Sequence, residues 1–388
     1  MTRPLGNSAL APFGATIFAE MSALAVQHGA INLGQGFPDT DGPREVLEAA
    51  KAAIDGGRNQ YPPGPGVPEL LEAIAAHQKR FYGLEVDPRS EVLVTVGATE
   101  AILATILALV APGDEVVTFE PYYDSYAASI ALAGGERRPV PLRFPDWHID
   151  EAALRAAFSD RTRMVLLNTP HNPTGKVFSR SEIDLICALA REHGAWVVTD
   201  EVYEHLTFDG AEHIPVASLP GMWDRTLTIS SAGKTFSTTG WKVGWVSGPA
   251  EAVSAVRAVK QFTTFVGSGP FQPAVAVGLG LGDEVYAGFA ASLQGKRDLL
   301  VAALRDAGLP VAVPQGTYFV IADAAPLGAS DGLAFCRELP VRAGVVGVPV
   351  SVFCDDKEAS RTLVRFAFCK RDDTLRALSA AVAQRLRE

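Results

Sequence analysis

The sequence predicts an α/β protein in which a mostly parallel sheet lies between helices in a large domain, with a smaller α+β domain after it. Three observations predict it. Beyond about residue 90, short apolar runs alternate with helical segments. Those runs are mostly apolar, as strands buried on both faces are. After about Glu284 the alternation gives way to a long helical stretch and a different pattern.

The elements follow in order. "EVLVTV" predicts a strand and Ala98–Val110 a helix; "DEVVTF" predicts the next strand and Asp124–Ala133 the next helix. "RMVLLN" is a strand, Ser179–His193 a helix and "AWVVTD" a strand. "TLTIS" and "VGWVSG" add two strands before the helix Ala250–Phe262. A helix running to Arg305 then leads into "GTYFVIAD", a helix around Leu333–Glu338, "LVRFAFCK" and a terminal helix. The expected divisions are an N-terminal segment (residues 1–47) packing with the small domain, a large domain (48–290) and a small C-terminal domain (291–388). Functional groups in such a sheet collect at the carboxyl ends of strands. Gly97, Asn168–Asn172, Asp200 and Ser230–Lys234 each follow a predicted strand end.

Composition narrows the function. With 388 residues, 48% of them hydrophobic and 20% charged, the chain can bury a sizeable core. A formal charge of -10 argues against nucleic acid or an anionic membrane surface as the main partner. The 4 cysteines lie far apart without a CxxC pair or a Cys/His cluster of zinc spacing, so neither disulfides nor a metal is expected, and a reducing cytoplasm fits. The N-terminus lacks a charged stretch followed by an apolar one, as a secretory signal requires. "AILATILALVAP" is stopped by Pro112 and is too short to span a bilayer.

The chemistry centres on "SSAGKTFSTTGWKVGW", which places Lys234 among small residues. Gly233-Lys234-Thr235 resembles the end of a phosphate-binding P-loop, but the glycine that motif needs five residues earlier is Thr228. The dinucleotide fingerprint G-x-G-x-x-G is also absent, since "GQGFPD" and "GLGLGD" both lack its last glycine. Gly97-Ala98-Thr99 lies between a strand and a helix, where free N–H groups and the helix dipole can hold a phosphate. An ordinary capped turn would read the same way. Asp200 ends a strand with Tyr203 three residues on, a pairing open either to a cap or to a ring-nitrogen partner. Asn172 lies in the turn "NTPHNPTG", and Tyr122 in "EPYYDSY" is either core or a stacking aromatic. Arg365 sits in an apolar strand, where a guanidinium needs an anion.

In this order the stretches resemble the class I aminotransferases of pyridoxal-phosphate fold type I, over nearly the whole chain. "NLGQGFPD", "VGATEAI", "PHNPTG", "DEVYEHL", "SSAGKTFSTTGWKVGW", "GTYF" and "VRFAFCK" carry the resemblance. The chain is especially similar to the kynurenine/glutamine/methionine branch. "NQYPPGPG", "VTVGATEAI" and "FCKRDDTL" resemble actinobacterial N-succinyldiaminopimelate aminotransferases.

The resemblance implies an obligate homodimer exchanging an amino group between an L-amino acid and a 2-oxo acid by a ping-pong mechanism. The implied donor is N-succinyl-LL-2,6-diaminopimelate and the acceptor 2-oxoglutarate, within lysine biosynthesis. Lys234 would join covalently to pyridoxal phosphate, then carry the proton between substrate Cα and cofactor C4′. Asp200 would keep the ring nitrogen protonated, Tyr203 and Asn172 would bond the ring hydroxyl oxygen, and Tyr122 would stack on the ring. Gly97, Ala98, Thr99, Ser231 and Lys242 would hold the phosphate, with Tyr61 joining them from the neighbouring subunit. Arg365 would fork the substrate α-carboxylate, helped by the Gly36 backbone, and Phe18 would border the side-chain pocket. Lys242 stands where aspartate aminotransferases have arginine, His171 where some relatives have asparagine, and Phe18 where enzymes near kynurenine aminotransferase carry a bulkier tryptophan. The alternatives are a broad-specificity glutamine/methionine/kynurenine aminotransferase, a cysteine-S-conjugate β-lyase sharing every cofactor contact, or the effector domain of a transcription regulator. The last needs a DNA-binding domain ahead of the fold, where only about 30 residues precede "NLGQGFPD".

Overall fold

The computed structural model describes residues 6–14 and 16–376. Its strands are, in chain order, β1 (Ile31–Asn32), β2 (Val92–Val96), β3 (Glu115–Glu120), β4 (Glu136–Pro141), β5 (Thr162–Asn168), β6 (Trp196–Asp200), β7 (Thr226–Ser231), β8 (Val243–Ser247), β9 (Val311–Ala312), β10 (Phe319–Asp323), β11 (Val345–Val346), β12 (Val348–Pro349) and β13 (Leu363–Ala367). Seven of them form one sheet in the order β2-β8-β7-β6-β5-β3-β4. Within it β3, β4, β5, β6 and β7 pair in parallel, and β8 pairs antiparallel with both β2 and β7.

Alternation along the strands explains the doubly covered sheet. Val117 and Phe119, Val165 and Leu167, and Val197 join a core with Ile183, Ile186 and Leu189 of the helix Arg180–Glu192. Val116, Met164 and Leu166, Val198, Leu227 and Ile229 join a second core. That core is closed by the helices Gly97–Leu109, Asp124–Ala133 and Ala250–Thr263. Helix Arg180–Glu192 starts where Ser179 and Glu182 form a reciprocal capping box.

β8 reverses direction for lack of chain. Only residues 232–242 separate it from β7, too few for the crossover a parallel neighbour requires. The reversal brings Lys242, at the entry to β8, to the sheet edge where the parallel strands end. β4 was not expected, because "ERRPVP" carries charges and prolines; it is an edge strand, which tolerates both.

A second, antiparallel sheet has the order β12-β13-β10-β9 and sets Arg365 opposite Ile321 and Val348. β1 pairs in parallel with β11, and Met21 and Ala25 of the helix Ile17–His28 share a core with Leu339 and Ala343 of the helix Gly332–Ala343. The expected division at 290/291 falls inside the unbroken helix Asp283–Asp306. Beyond Arg376 the expected terminal helix lies outside the described residues. Among the described residues no single helix is long and apolar enough to cross a membrane.

Candidate active site

A cavity of about 300 Å³ opens where β2, β5, β6 and β7 end. It brings together Gly36, Gly97, Ala98, Thr99, Asn172, Asp200, Tyr203, Ser231, Lys234 and Lys242, from segments far apart in the chain.

One wall is the N-terminal turn of helix Gly97–Leu109. Gly97 has φ +73°, a conformation that suits glycine, and the Lys242 ammonium approaches it closely: a Cβ at Gly97 would stand 3.1 Å from Lys242 Nζ. Lys242 itself has φ 53°. Gly244 lies directly against this turn, where an added Cβ would meet the Gly97 carbonyl carbon at 2.5 Å and the Ala98 nitrogen at 2.7 Å. The turn's N–H groups, the Ser231 hydroxyl and a cation that no carboxylate ion-pairs among the described residues therefore face one space. Such a grouping suits a phosphate.

Lys234 follows β7. Its Nζ donates to the Tyr318 hydroxyl at 2.6 Å and to the Gly36 carbonyl at 3.3 Å, and the Tyr318 hydroxyl donates in turn to that carbonyl at 2.6 Å. Burial lowers the amine's pKa to about 8, against the pull of Asp200. Asp200 ends β6 and accepts from the Tyr126 hydroxyl at 2.6 Å. Burial raises its pKa to about 6. Asn168, at the end of β5, donates to the Asp200 carbonyl and accepts from the Asn172 backbone N–H at 2.6 Å, fixing both.

Arg365 reaches Asn172 Oδ1 at 2.9 Å through Nη1 and the Gly34 carbonyl at 3.0 Å through Nη2. Its Nε is buried without a partner. The guanidinium stacks over Phe319 at 4.0 Å, with Phe353 at 5.0 Å and Phe18 at 5.4 Å, and burial lowers its pKa to about 10. No carboxylate forms a salt bridge with it among the described residues, and a buried guanidinium of this kind suits an anion brought by a ligand.

One expectation is corrected. Tyr122 does not line the cavity; it donates to Asp355 Oδ1 at 2.7 Å and packs under Arg137. Its neighbour Tyr123 lines the cavity instead, together with Thr99. Phe18 packs on Phe353 beside Arg365 rather than in the cavity itself. Tyr61 is 82% exposed and stays out of its own chain's cavity. Tyr318, Tyr126 and Asn168 were assigned no role from sequence, although Tyr318 lies within the quoted "GTYF".

A reactive amine beside a buried carboxylate and an anion cradle defines a pyridoxal-phosphate-dependent transferase. The fit is chemical: among the described residues Asp200 has no cationic partner within bonding reach, and a protonated ring nitrogen would supply one. Comparison with known proteins agrees. Residues 28–381 match the family Aminotransferase class I and II, and the chain belongs to it. It is 53% identical over 379 residues to a probable N-succinyldiaminopimelate aminotransferase of Mycobacterium tuberculosis, covering 95% of each chain. It is 43% identical to a methionine aminotransferase of Escherichia coli over 382 residues, 98% of each. The solved three-dimensional structure of the N-succinyldiaminopimelate aminotransferase from Mycobacterium tuberculosis superposes with a TM-score of 0.95 at 52% identity, covering 98% of this chain and 100% of that one. The protein is thus a transaminase that uses pyridoxal 5'-phosphate and acts on amino and oxo acids.

Proposed function

We propose that the protein transfers the amino group of N-succinyl-LL-2,6-diaminopimelate to 2-oxoglutarate. The observation that carries the reading is a second cavity of about 650 Å³ that shares Tyr123 with the first. Phe353, which packs on Arg365, lines it, and Lys357 stands at its exposed rim. A donor held at Arg365 by its α-carboxylate would have room there for a long side chain, with Lys357 available to a distal carboxylate. The 53% identity to the mycobacterial protein supports the same donor.

The bound cofactor supplies an electron sink for the bond broken at the substrate Cα. Lys234 would hold it, Asp200 would face its ring nitrogen, and Asn172 and Tyr203 its ring oxygen. Gly97, Ala98, Thr99, Ser231 and Lys242 would hold its phosphate, and Tyr123 takes the stacking role first given to Tyr122. Arg365 orients the substrate by its α-carboxylate, leaving the Cα–H toward Lys234. Once the substrate amine has displaced it from the cofactor, the Lys234 amine is free to take that proton.

A donor panel tests the substrate. N-succinyl-LL-2,6-diaminopimelate is expected to exceed methionine, glutamine and kynurenine in kcat/KM. Lys357→Ala is expected to raise KM for the succinylated donor and leave that for methionine unchanged. Methionine or glutamine as the better donor would reassign the enzyme to the broad-specificity branch.

A further inference from the structure

We propose that the chain carries a second site, for a divalent cation of the zinc class, built by His77, His205 and Glu204 outside the catalytic cavity. The ligand atoms of these three side chains all lie within 4.8 Å of one another. His77 lies on the helix Pro68–Tyr82, and Glu204 and His205 follow β6, so the cluster unites residues 128 apart and shows no zinc spacing in sequence.

The geometry suits a small borderline ion. The two Nε2 atoms stand 2.7 Å apart with the rings at 86°, one imidazole N–H donating to the other nitrogen, and a metal ion would replace that shared proton. Two imidazoles on one tetrahedral zinc, each about 2 Å from it, have their nitrogens about 3.3 Å apart. Admitting the ion therefore needs an opening of only about half an ångström. Each ring then gives Nε2 to the metal and keeps its proton on Nδ1, which at His77 is buried without a hydrogen-bond partner. Burial holds both imidazoles neutral, with pKa values lowered to about 3 for His77 and about 4 for His205, the form that ligates.

The surroundings provide the rest of a metal site. Glu204 is oriented by two hydroxyls, Tyr82 on Oε2 and Ser230 on Oε1, each at 2.6 Å. A carboxylate oxygen retains a lone pair when it accepts one such bond, so Glu204 can ligate while both hydroxyls hold it. Phe81 and Tyr286 pack on His205 at 4.7 and 4.4 Å and hold its ring in place. Glu204 and His205 line an open cavity of about 1200 Å³, which gives the ion its entry and leaves a fourth position for water.

Isothermal titration of the cofactor-loaded enzyme with Zn2+ tests the site. One equivalent per chain is expected, with binding weakened at least about tenfold in His205→Asn, a half-buried position where the fold should survive. X-ray absorption on the zinc-loaded wild-type enzyme needs no variant and should show two imidazole ligands. Absence of stoichiometric zinc, binding that His205→Asn leaves unchanged, or a zinc shell with fewer than two imidazoles would each overturn the proposal.

Discussion

Whether Lys234 can act depends on when its amine is free of its proton. The ordinary lysine value is 10.5, and burial brings this one to about 8. Only the neutral amine is a nucleophile, so reactivity should rise with pH through about 8 and level off well before 10.5. Competitive acetylation of the cofactor-free protein, read on the Lys234 peptide, checks this; a midpoint near 10 would mean the amine is solvated. Arg365 makes a different demand. Truncating it to alanine removes the group that receives an α-carboxylate, and donors and 2-oxo acids both present one. Arg365→Ala should therefore lower kcat/KM for both by about 2–5 kcal/mol, the cost of breaking a buried charge pair. A loss confined to one class would place Arg365 against the side chain instead. Residues of this kind were legible in sequence because their chemistry conflicts with their setting, as a guanidinium does in "LVRFAF". The choice between Tyr122 and Tyr123 was not legible. Adjacent aromatics just before a helix differ only in direction, and here the Asp355 carboxylate, 233 residues away, claims Tyr122.

At the level of elements, the site depends on a contact between two backbones. β8 pairs Gly244 with Thr95 of β2 and lays it against the turn that opens the helix Gly97–Leu109. Only a residue without Cβ lets them meet, because the opposing atoms are main chain and cannot rotate away. Gly244→Ala should cost about 1–3 kcal/mol of stability as an overpacked core position. The turn should also be displaced, weakening cofactor retention beyond what the stability loss explains. Urea midpoints and equilibrium dialysis of the cofactor separate the two effects; full retention at lowered stability would show that the turn does not depend on this contact. The strands and helices of the large sheet were readable because burial on both faces leaves continuous apolar runs. β4 escaped because half of an edge strand faces solvent, and the two-residue strands β1, β9, β11 and β12 escaped because period-two patterning needs more residues than they have.

The whole chain presents an aromatic patch that a lone subunit leaves wet. Tyr61 is 82% exposed, Phe262 84% and Phe265 52%, and Tyr61 meets Phe265 edge-on at 5.6 Å. Exposed apolar surface of this kind suits an interface. We infer that it packs against a second copy of the chain and delivers Tyr61 to the partner's phosphate site. Two-fold symmetry makes the arrangement reciprocal, so each cavity would depend on both chains. Mixing Lys234→Ala with Tyr61→Ala tests that dependence. Each parent homodimer should be impaired, the first by orders of magnitude and the second less. If Tyr61 serves the partner, a hybrid dimer gathers both lesions in one cavity and leaves the other intact. Activity per hybrid should then recover to about half the wild-type value, one site of two. If Tyr61 serves its own chain, or merely packs beside Pro62 and Pro63, every cavity in the hybrid keeps one lesion. Mixing would then give no more than the average of the parents, and with subunit exchange verified by mass-labelled chains that result would rule out the shared site.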